Sequence, residues 1–567
     1  MASTIELPGV SPAASDRRGR HGRARLSWGF FVAAGLMVVI AAPVAAVFAF
    51  MLQPTGGLWA HLVETLLLDY VGNTILLGAG VGMTTIVIGT GCAWLLVMYD
   101  FPGKRWLDWG LVLPLAMPAY VLAYAYTDFL QFTGPLQGLI RSMTGWGWQD
   151  YWFPPIHSVG GAIFVLSMAL YPYVYVLARS AFLEQSVCAL EVGRTLGCSP
   201  GSAFFRVALP LARPSIAAGT GFVVMETLAD FGAVKYFEVP TFTTGIYRAW
   251  FAQGSPAAAA QLASLLLLAV FTVLLLERMS RGRRRYSHTT ARYRELHPTR
   301  LTSWRAGFAA LACLLPLACG FALPAIVLFD MAMNSLEPVS MARLLHLIGN
   351  TIKIGIAASL VTVAAALLAI YAIKHDGRRL TRGLINVALL GYATPGVIIA
   401  VGVVIAIGLL DAAIAGMAQT MFGISTGLLL AGTIAAVTYG CLVRFFAVAF
   451  GPADAGLGRI KRSLEDAART LGSGPGGVLA RIHLPLMRGS VLSALLLVFV
   501  EVLKELPATM ILRPFNFDTL AIEAFQLATT ERLDGAATPA LIIVGVGLIP
   551  VILLCRTIRR SRPGRVD

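Results

Sequence analysis

Leu190-Glu-Val-Gly-Arg-Thr-Leu-Gly-Cys-Ser-Pro-Gly-Ser-Ala-Phe-Phe-Arg-Val-Ala-Leu-Pro210 is one of two copies of the same polar stretch. Residues Glu465-Asp-Ala-Ala-Arg-Thr-Leu-Gly-Ser-Gly-Pro-Gly-Gly-Val-Leu-Ala-Arg-Ile-His-Leu-Pro485 repeat it at a constant offset of 275, without a gap. Arg194, Thr195, Leu196, Gly197, Pro200, Gly201, Arg206, Leu209 and Pro210 meet Arg469, Thr470, Leu471, Gly472, Pro475, Gly476, Arg481, Leu484 and Pro485. Both copies are polar islands in a very apolar chain. A device written once in each half is suited to gripping something twofold.

The chain of 567 residues is 57% hydrophobic and 13% charged, with a mean hydropathy of +0.75. So few charges cannot cover a water-soluble protein of this length, and lipid must be part of its solvent. A helix crossing a hydrocarbon core of about 30 Å needs ~20 apolar residues. Twelve such stretches occur, near 28–53, 66–99, 107–132, 158–182, 211–234, 257–277, 305–330, 348–373, 384–410, 425–450, 488–512 and 537–556. They predict an all-α polytopic membrane protein.

The formal charge of +15 does not point to nucleic acid, because its distribution follows the membrane. Arg17, Arg18, Arg20, Arg23 and Arg25 precede the first stretch, Arg278, Arg281, Arg283, Arg284 and Arg285 follow the sixth, and Arg556, Arg559, Arg560, Arg562 and Arg565 follow the twelfth. Lys104, Arg105, Lys374, Arg378 and Arg379 fall in short loops of the same side, and the opposite loops are nearly free of Lys and Arg. By the positive-inside rule, both termini and both polar islands are cytoplasmic. The seven cysteines include no C-x-x-C and no pair in an outer loop, so neither a disulfide framework nor a zinc site is expected. The first apolar stretch is longer than the ~7–15 residues of a signal peptide, and it reads as an uncleaved span.

The duplication extends beyond the polar islands. Val71-Gly-Asn-Thr-Ile75 recurs as Ile348-Gly-Asn-Thr-Ile352, Pro118 as Pro395, and Glu226 and Asp230 as Glu501 and Glu505. Each unit holds an even number of spans, so the two six-helix repeats run parallel about an axis along the membrane normal. The domain reading is a basic tail at 1–27, a first span and outer loop at 28–65 and a first module at 66–277. A basic linker with the seventh span and outer loop follows at 278–345, then a second module at 346–556 and a basic tail at 557–567.

Within the first island, Glu184 to Leu196 is compatible with helix, and Gly197 suits a left-handed cap. Ser199 then offers an N-cap with Pro200 at the first helical position, opening a second short helix that Pro210 is expected to stop. The second island has the same plan with Gly474 in place of the serine. Gly193, Ala467 and Ala468 are small enough to let another protein's backbone approach. The alternative is that they pack against loops of this chain.

These residues resemble the signature E-A-A-x3-G-x9-I-x-L-P of permease subunits in binding-protein-dependent ABC importers. The first copy reads Glu191, Val192, Gly193, Gly197, Val207, Leu209, Pro210, and the second Asp466, Ala467, Ala468, Gly472, Ile482, Leu484, Pro485. The resemblance covers about 66 to 556 as two fused type I (MetI-like) modules. It implies that each loop docks into a cleft on an ATP-hydrolysing subunit, with Glu191 and Asp466 as the docking acids. It further implies two copies of that subunit, a periplasmic or lipid-anchored substrate-binding protein and a bacterial cytoplasmic (inner) membrane location. The first copy departs from the signature at Val192 and Gly193, and Asp466 is one methylene shorter than glutamate, so the two docking sites are expected to differ. With no G-x-x-x-x-G-K-[ST] loop in the chain, ATP belongs to the partner and no cofactor is expected here. Residues 225–250 are similar to the corresponding part of fused ferric-iron permeases. Fused thiamine permeases share the architecture, and polyamine, phosphonate and sulfate systems share the loop.

Glu226, Asp230, Glu501, Lys504 and Glu505 are ionisable groups within or near spans, where charge is costly and often functional. They are candidates for lining a cation pathway between the halves. The competing reading pairs Lys504 with a neighbouring acid and places some of them at the outer headgroup level. Tyr120, Tyr124, Tyr126, Tyr171, Tyr173 and Tyr175 have oxygens suited to a hard cation, but such clusters more often pack or form an interfacial belt. His61, His157 and His346 lack spaced partners, and no metal ligand is named. A secondary carrier with parallel halves is the rival class, and Asp376-Gly-Arg-Arg379 faintly resembles a short carrier loop motif. The duplicated polar loop, which a self-contained carrier does not need, argues against it. A membrane-embedded enzyme is weaker still, since no nucleophile motif or His cluster falls in the spans.

Overall fold

The computed structural model describes residues 27–147, 149–184, 200–281, 299–335, 340–458, 460 and 462–560. Eleven helices among them are long and apolar enough to cross a membrane, and a bent pair makes a twelfth. In chain order, spans 1 and 2 are Trp28–Met51 and Leu67–Met98, and span 3 is the pair Lys104–Ala116 with Ala119–Thr144. Spans 4 to 6 are Val159–Leu183, Gly201–Ala229 and Pro256–Glu277; spans 7 to 9 are Ser303–Asn334, Met341–Asp376 and Gly396–Phe422. Spans 10 to 12 are Ile434–Gly458, Gly476–Lys504 and Leu533–Leu553. The described strand is a two-residue parallel bridge, Tyr99–Asp100 with Thr299–Arg300.

The repeat is visible in matching hydrogen bonds. Asn73 Nδ2 donates to the Pro240 carbonyl at 2.9 Å and Asn350 Nδ2 to the Asp518 carbonyl at 3.1 Å. The duplicated Gly-Asn-Thr thus ties the same loop in both halves.

Three sequence expectations need correction, and proline accounts for each. Span 3 is broken by 97°, because Pro118 is extended (ψ 144°) and starts a new helix. Pro395 does the same (ψ 140°), so span 9 begins at Gly396 and the stretch expected at 384–410 divides. Its first part forms the helix Arg379–Ala388 and a 3-10 turn at Leu389–Ala393. Pro210 and Pro485, finally, stop nothing. A π-helical stretch precedes each, Phe204–Ala208 and Leu479–His483, and the helix then continues into spans 5 and 11. The wider turn relieves the clash between the proline ring and the preceding turn and accommodates its missing N–H. Each polar loop is therefore continuous with a span.

Small residues bring the helices together, as lipid supplies little hydrophobic drive between them. A Cβ on Gly89 of span 2 would lie 2.8 Å from the Tyr175 nitrogen, and one on Gly219 of span 5 would lie 2.9 Å from Val174 Cα. Span 4 is clamped between them.

The first span of each repeat packs on the other repeat. Ala33 and Ile40 of span 1 share a core with spans 8, 9, 10 and 11, and Tyr439 Oη donates to the Val39 carbonyl at 2.6 Å. Asp376, the acid of the carrier-like loop, accepts hydrogen bonds from Ser27 and Thr381, so this loop fastens the start of span 1. Span 7 reciprocates: Tyr126 Oη donates to the Cys319 carbonyl at 2.6 Å, and Gly320 abuts the Met168 carbonyl.

Candidate functional site

Spans 3, 5 and 11 break at the seam between the repeats, and the broken ends enclose a water-accessible cavity of about 130 Å³. Met117 and Pro118, Asp230 and Phe231, and Glu505 and Leu506 line it together with Tyr120, Tyr173 and Arg444. Glu226, Asp230, Glu501, Lys504 and Glu505, grouped from sequence, all open onto this space.

Broken helices expose backbone N–H groups that need acceptors inside a bilayer. Asp230 Oδ1 accepts from the nitrogens of Ala233 and Val234 at 3.0 and 3.1 Å. At the equivalent place in the second repeat, Glu505 accepts from Ala508 and Thr509 at 3.1 and 3.3 Å. These two acids cap the short helices Gly232–Tyr236 and Pro507–Leu512. Glu505, one methylene longer than aspartate, also takes Arg444 Nη1 at 2.8 Å, with its side chain 1% exposed.

The remaining charges meet across the seam. Glu226 accepts from Tyr392 Oη at 3.2 Å and lies 3.9 Å from Arg444 Nη2. Lys504 Nζ pairs with Glu501 at 2.9 Å and donates to the Leu115 carbonyl of span 3 at 3.3 Å. The pairing of Lys504 with a neighbouring acid is thus real, and it occurs at the cavity. Arg444 escaped the sequence reading, although a lone arginine inside the apolar stretch 434–458 carries the same signal that singled out the other five. The tyrosines divide: Tyr120 and Tyr173 line the cavity, whereas Tyr124, Tyr171 and Tyr175 are buried in the core. Tyr175 Oη donates to the Asp108 carbonyl at 2.9 Å. No group of three or more His, Cys, Asp or Glu among the described residues is placed to hold a metal ion.

The second polar loop lies between spans 10 and 11. Its helix Arg462–Thr470 ends at Gly472, whose φ of +83° only glycine adopts readily. Asp466 and Ala467 are exposed and Ala468 is buried. Glu465 points inward instead, paired with Lys374 at the end of span 8 and 3.3 Å from His483 Nε2. Leu484 and Pro485 are exposed at the start of the following helix. In the first loop, Leu209 and Pro210 open the helix Leu209–Ala229; Glu191, Val192, Gly193 and Gly197 lie outside the described residues.

Residues 85–285 match the family described as binding-protein-dependent transport system inner membrane component. Over 492 residues the chain is 26% identical to the Fe(3+)-transport system permease protein FbpB 2 of Haemophilus influenzae, covering 86% of this chain and 89% of that one. Residues 85–285 thus carry the domain of binding-protein-dependent transport permeases, and both repeats are similar to a transport permease. The chain is also 23% identical to the putative ferric transport system permease protein FbpB 1 of the same organism, over 80% of this chain and 71% of the relative. The molybdenum transport system permease protein ModB of Escherichia coli is 28% identical, over 35% of this chain and 86% of its own length. The permease is a multi-pass protein of the inner membrane.

In this permease Glu465 is the loop residue that motif reading passed over, since it stands one place before the signature. Burial raises its pKa, but the hydrogen bond and charge of Lys374, followed by His483, outweigh burial and hold it below the ordinary 4.5. A depressed carboxylate stabilises the folded state above the ordinary value and loses that contribution as pH falls through the depressed one. Proteolysis of the 459–474 loop in detergent is therefore expected to rise below pH 4.5 in the wild type. In Glu465→Gln it should already be elevated at pH 7 and change less with acid.

Proposed function

We propose that this permease forms the translocation pathway of a ferric iron importer and is driven by separate ATPase subunits. The supporting observation is the likeness to an Fe(3+)-transport system permease protein over 86% of this chain and 89% of the relative, spanning both repeats, whereas the molybdenum relative matches 35% of this chain. The cavity agrees in sign: four carboxylates face two cations there, a surrounding that attracts a cation and repels an oxyanion.

In this reading Glu191 and Asp466, with Val192, Gly193, Gly197, Leu209 and Pro210 on one side and Ala467, Ala468, Gly472, Leu484 and Pro485 on the other, dock two copies of the ATPase. A periplasmic or lipid-anchored binding protein delivers iron from the opposite side, both termini are cytoplasmic, and ATP stays on the partner. Closure of the ATPase pair moves the loops. Because the second loop continues through its π turn into span 11, that motion reaches Glu501, Lys504 and Glu505 through one helix. ATP binding can bias the permease only by favouring one of its states, and the loops are where that preference is felt.

The test is uptake of radiolabelled ferric iron in cells lacking this chain, with molybdate and thiamine uptake in parallel. Iron uptake is expected to fall to background and to return on complementation. Unchanged iron uptake with lost molybdate or thiamine uptake overturns the cargo and leaves the importer.

A further inference from the structure

The cavity is less symmetrical than the repeat that builds it. Glu226 and Glu501 occupy equivalent positions, at the offset of 275, and are the more exposed of its ion-paired acids, at 27% and 29% of their side-chain surface. Each is engaged by a cation, Arg444 for Glu226 and Lys504 for Glu501. Both cations come from the second repeat. At the same offset, their counterparts in the first repeat are Ala169 and Ala229, which also line the cavity.

We infer that Arg444 and Lys504 are resident counter-cations, which neutralise Glu226 and Glu501 while the pathway is empty and exchange with a cationic cargo. This deepens the cargo reading above and rests on its cationic sign. Charge in a low-dielectric passage needs a partner in every state. A carboxylate that attracts passing cations would otherwise stand uncompensated between turnovers. For Glu226 the halves can part acid from cation, since it belongs to span 5 of the first repeat and its 3.9 Å contact with Arg444 crosses the seam. Glu501 and Lys504, by contrast, are three residues apart on span 11 and part only if the lysine side chain swings. Lys504 is likewise poised across the seam, on the Leu115 carbonyl. Arg444 is additionally fixed by Glu505, so it is the stationary member; Lys504, on the last turn of span 11, is the one that swings.

Terbium(III), a hard trivalent cation whose emission is sensitised by nearby tyrosine, is the probe, applied to the full-length permease with its ATPase in lipid nanodiscs. Tyr392 contacts Glu226 and Tyr173 lines the cavity, so a bound ion would have sensitisers. Lys504→Gln is the primary variant, since it frees Glu501 and leaves the Arg444–Glu505 pair intact; Arg444→Gln serves as the second. Removing the counter-cation is expected to strengthen tyrosine-sensitised terbium binding at least tenfold over wild type. Adding Glu501→Gln to Lys504→Gln should abolish the gain, and Lys504→Arg should bind as wild type does. Equal terbium affinity in wild type and Lys504→Gln overturns the inference, as does a gain that survives Glu501→Gln. The readout involves no iron uptake, so a failed cargo assignment and a failed counter-cation assignment give different results.

Discussion

Replacing Glu191 and Asp466 together by lysine is expected to abolish co-purification of the ATPase and ATP-driven uptake, with the permease itself extracted at wild-type yield. Asp466 is exposed on a loop helix whose anchoring is carried by Glu465, Lys374 and His483. Surface substitutions away from such anchors usually shift stability by about 0.5 kcal/mol or less. Docking responds differently. Loss of a buried charge pair at an interface costs roughly 2–5 kcal/mol, and each ~1.4 kcal/mol is a factor of about ten in affinity. Charge reversal at both loops therefore weakens capture at least ~100-fold. Single variants should differ from one another, because the first loop has Val192 and Gly193 where the second has Ala467 and Ala468. Pull-down with the tagged ATPase measures this, and wild-type recovery with the double variant would reject the docking assignment.

Arg444→Ala is expected to carry the largest stability cost of any cavity substitution. It strands Glu505, whose side chain is 1% exposed, with backbone donors but no cation. Removing one partner of a buried pair costs about 3–5 kcal/mol, whereas removing both charges is often close to neutral. Thermal unfolding in nanodiscs should show a large loss for Arg444→Ala and recovery of most of it in Arg444→Ala/Glu505→Gln, because glutamine retains an oxygen for Ala508 and Thr509. Additive losses in the double variant would show that the pair is not the reason.

What could be read from the chain follows the physics of each feature. Apolar length placed span 2 closely, expected at 66–99 and observed at Leu67–Met98, but put span 10 at 425–450 where Ile434–Gly458 is observed, and span 11 at 488–512 where Gly476–Lys504 is observed. Spacing exposed the duplication, and intramembrane charge gathered five side chains that prove to share one cavity. The failures were at prolines. Pro118 and Pro395 interrupt apolar stretches without changing their hydropathy, and Pro210 and Pro485 ride on π turns that no residue pattern announces. The crossing of spans 1 and 7 onto opposite repeats was equally silent, since an apolar helix fits either neighbour until glycine contacts and terminal hydrogen bonds select one.

That crossing imposes a schedule on biogenesis. Ser27 bonds Asp376, 349 residues later; at ~5–20 residues per second, span 1 waits roughly 20–70 s after synthesis for that partner, and longer for spans 9 to 11 to complete its groove. During that interval it sits in lipid beside a first half that still lacks span 7, whose Cys319 carbonyl is 193 residues beyond Tyr126. The nascent protein is thus exposed to membrane proteases and to wrong helix pairings until translation is well into the second repeat. Cutting the gene between spans 6 and 7 would give each product a helix that belongs to the other, and function would return only if the two fragments met and traded places.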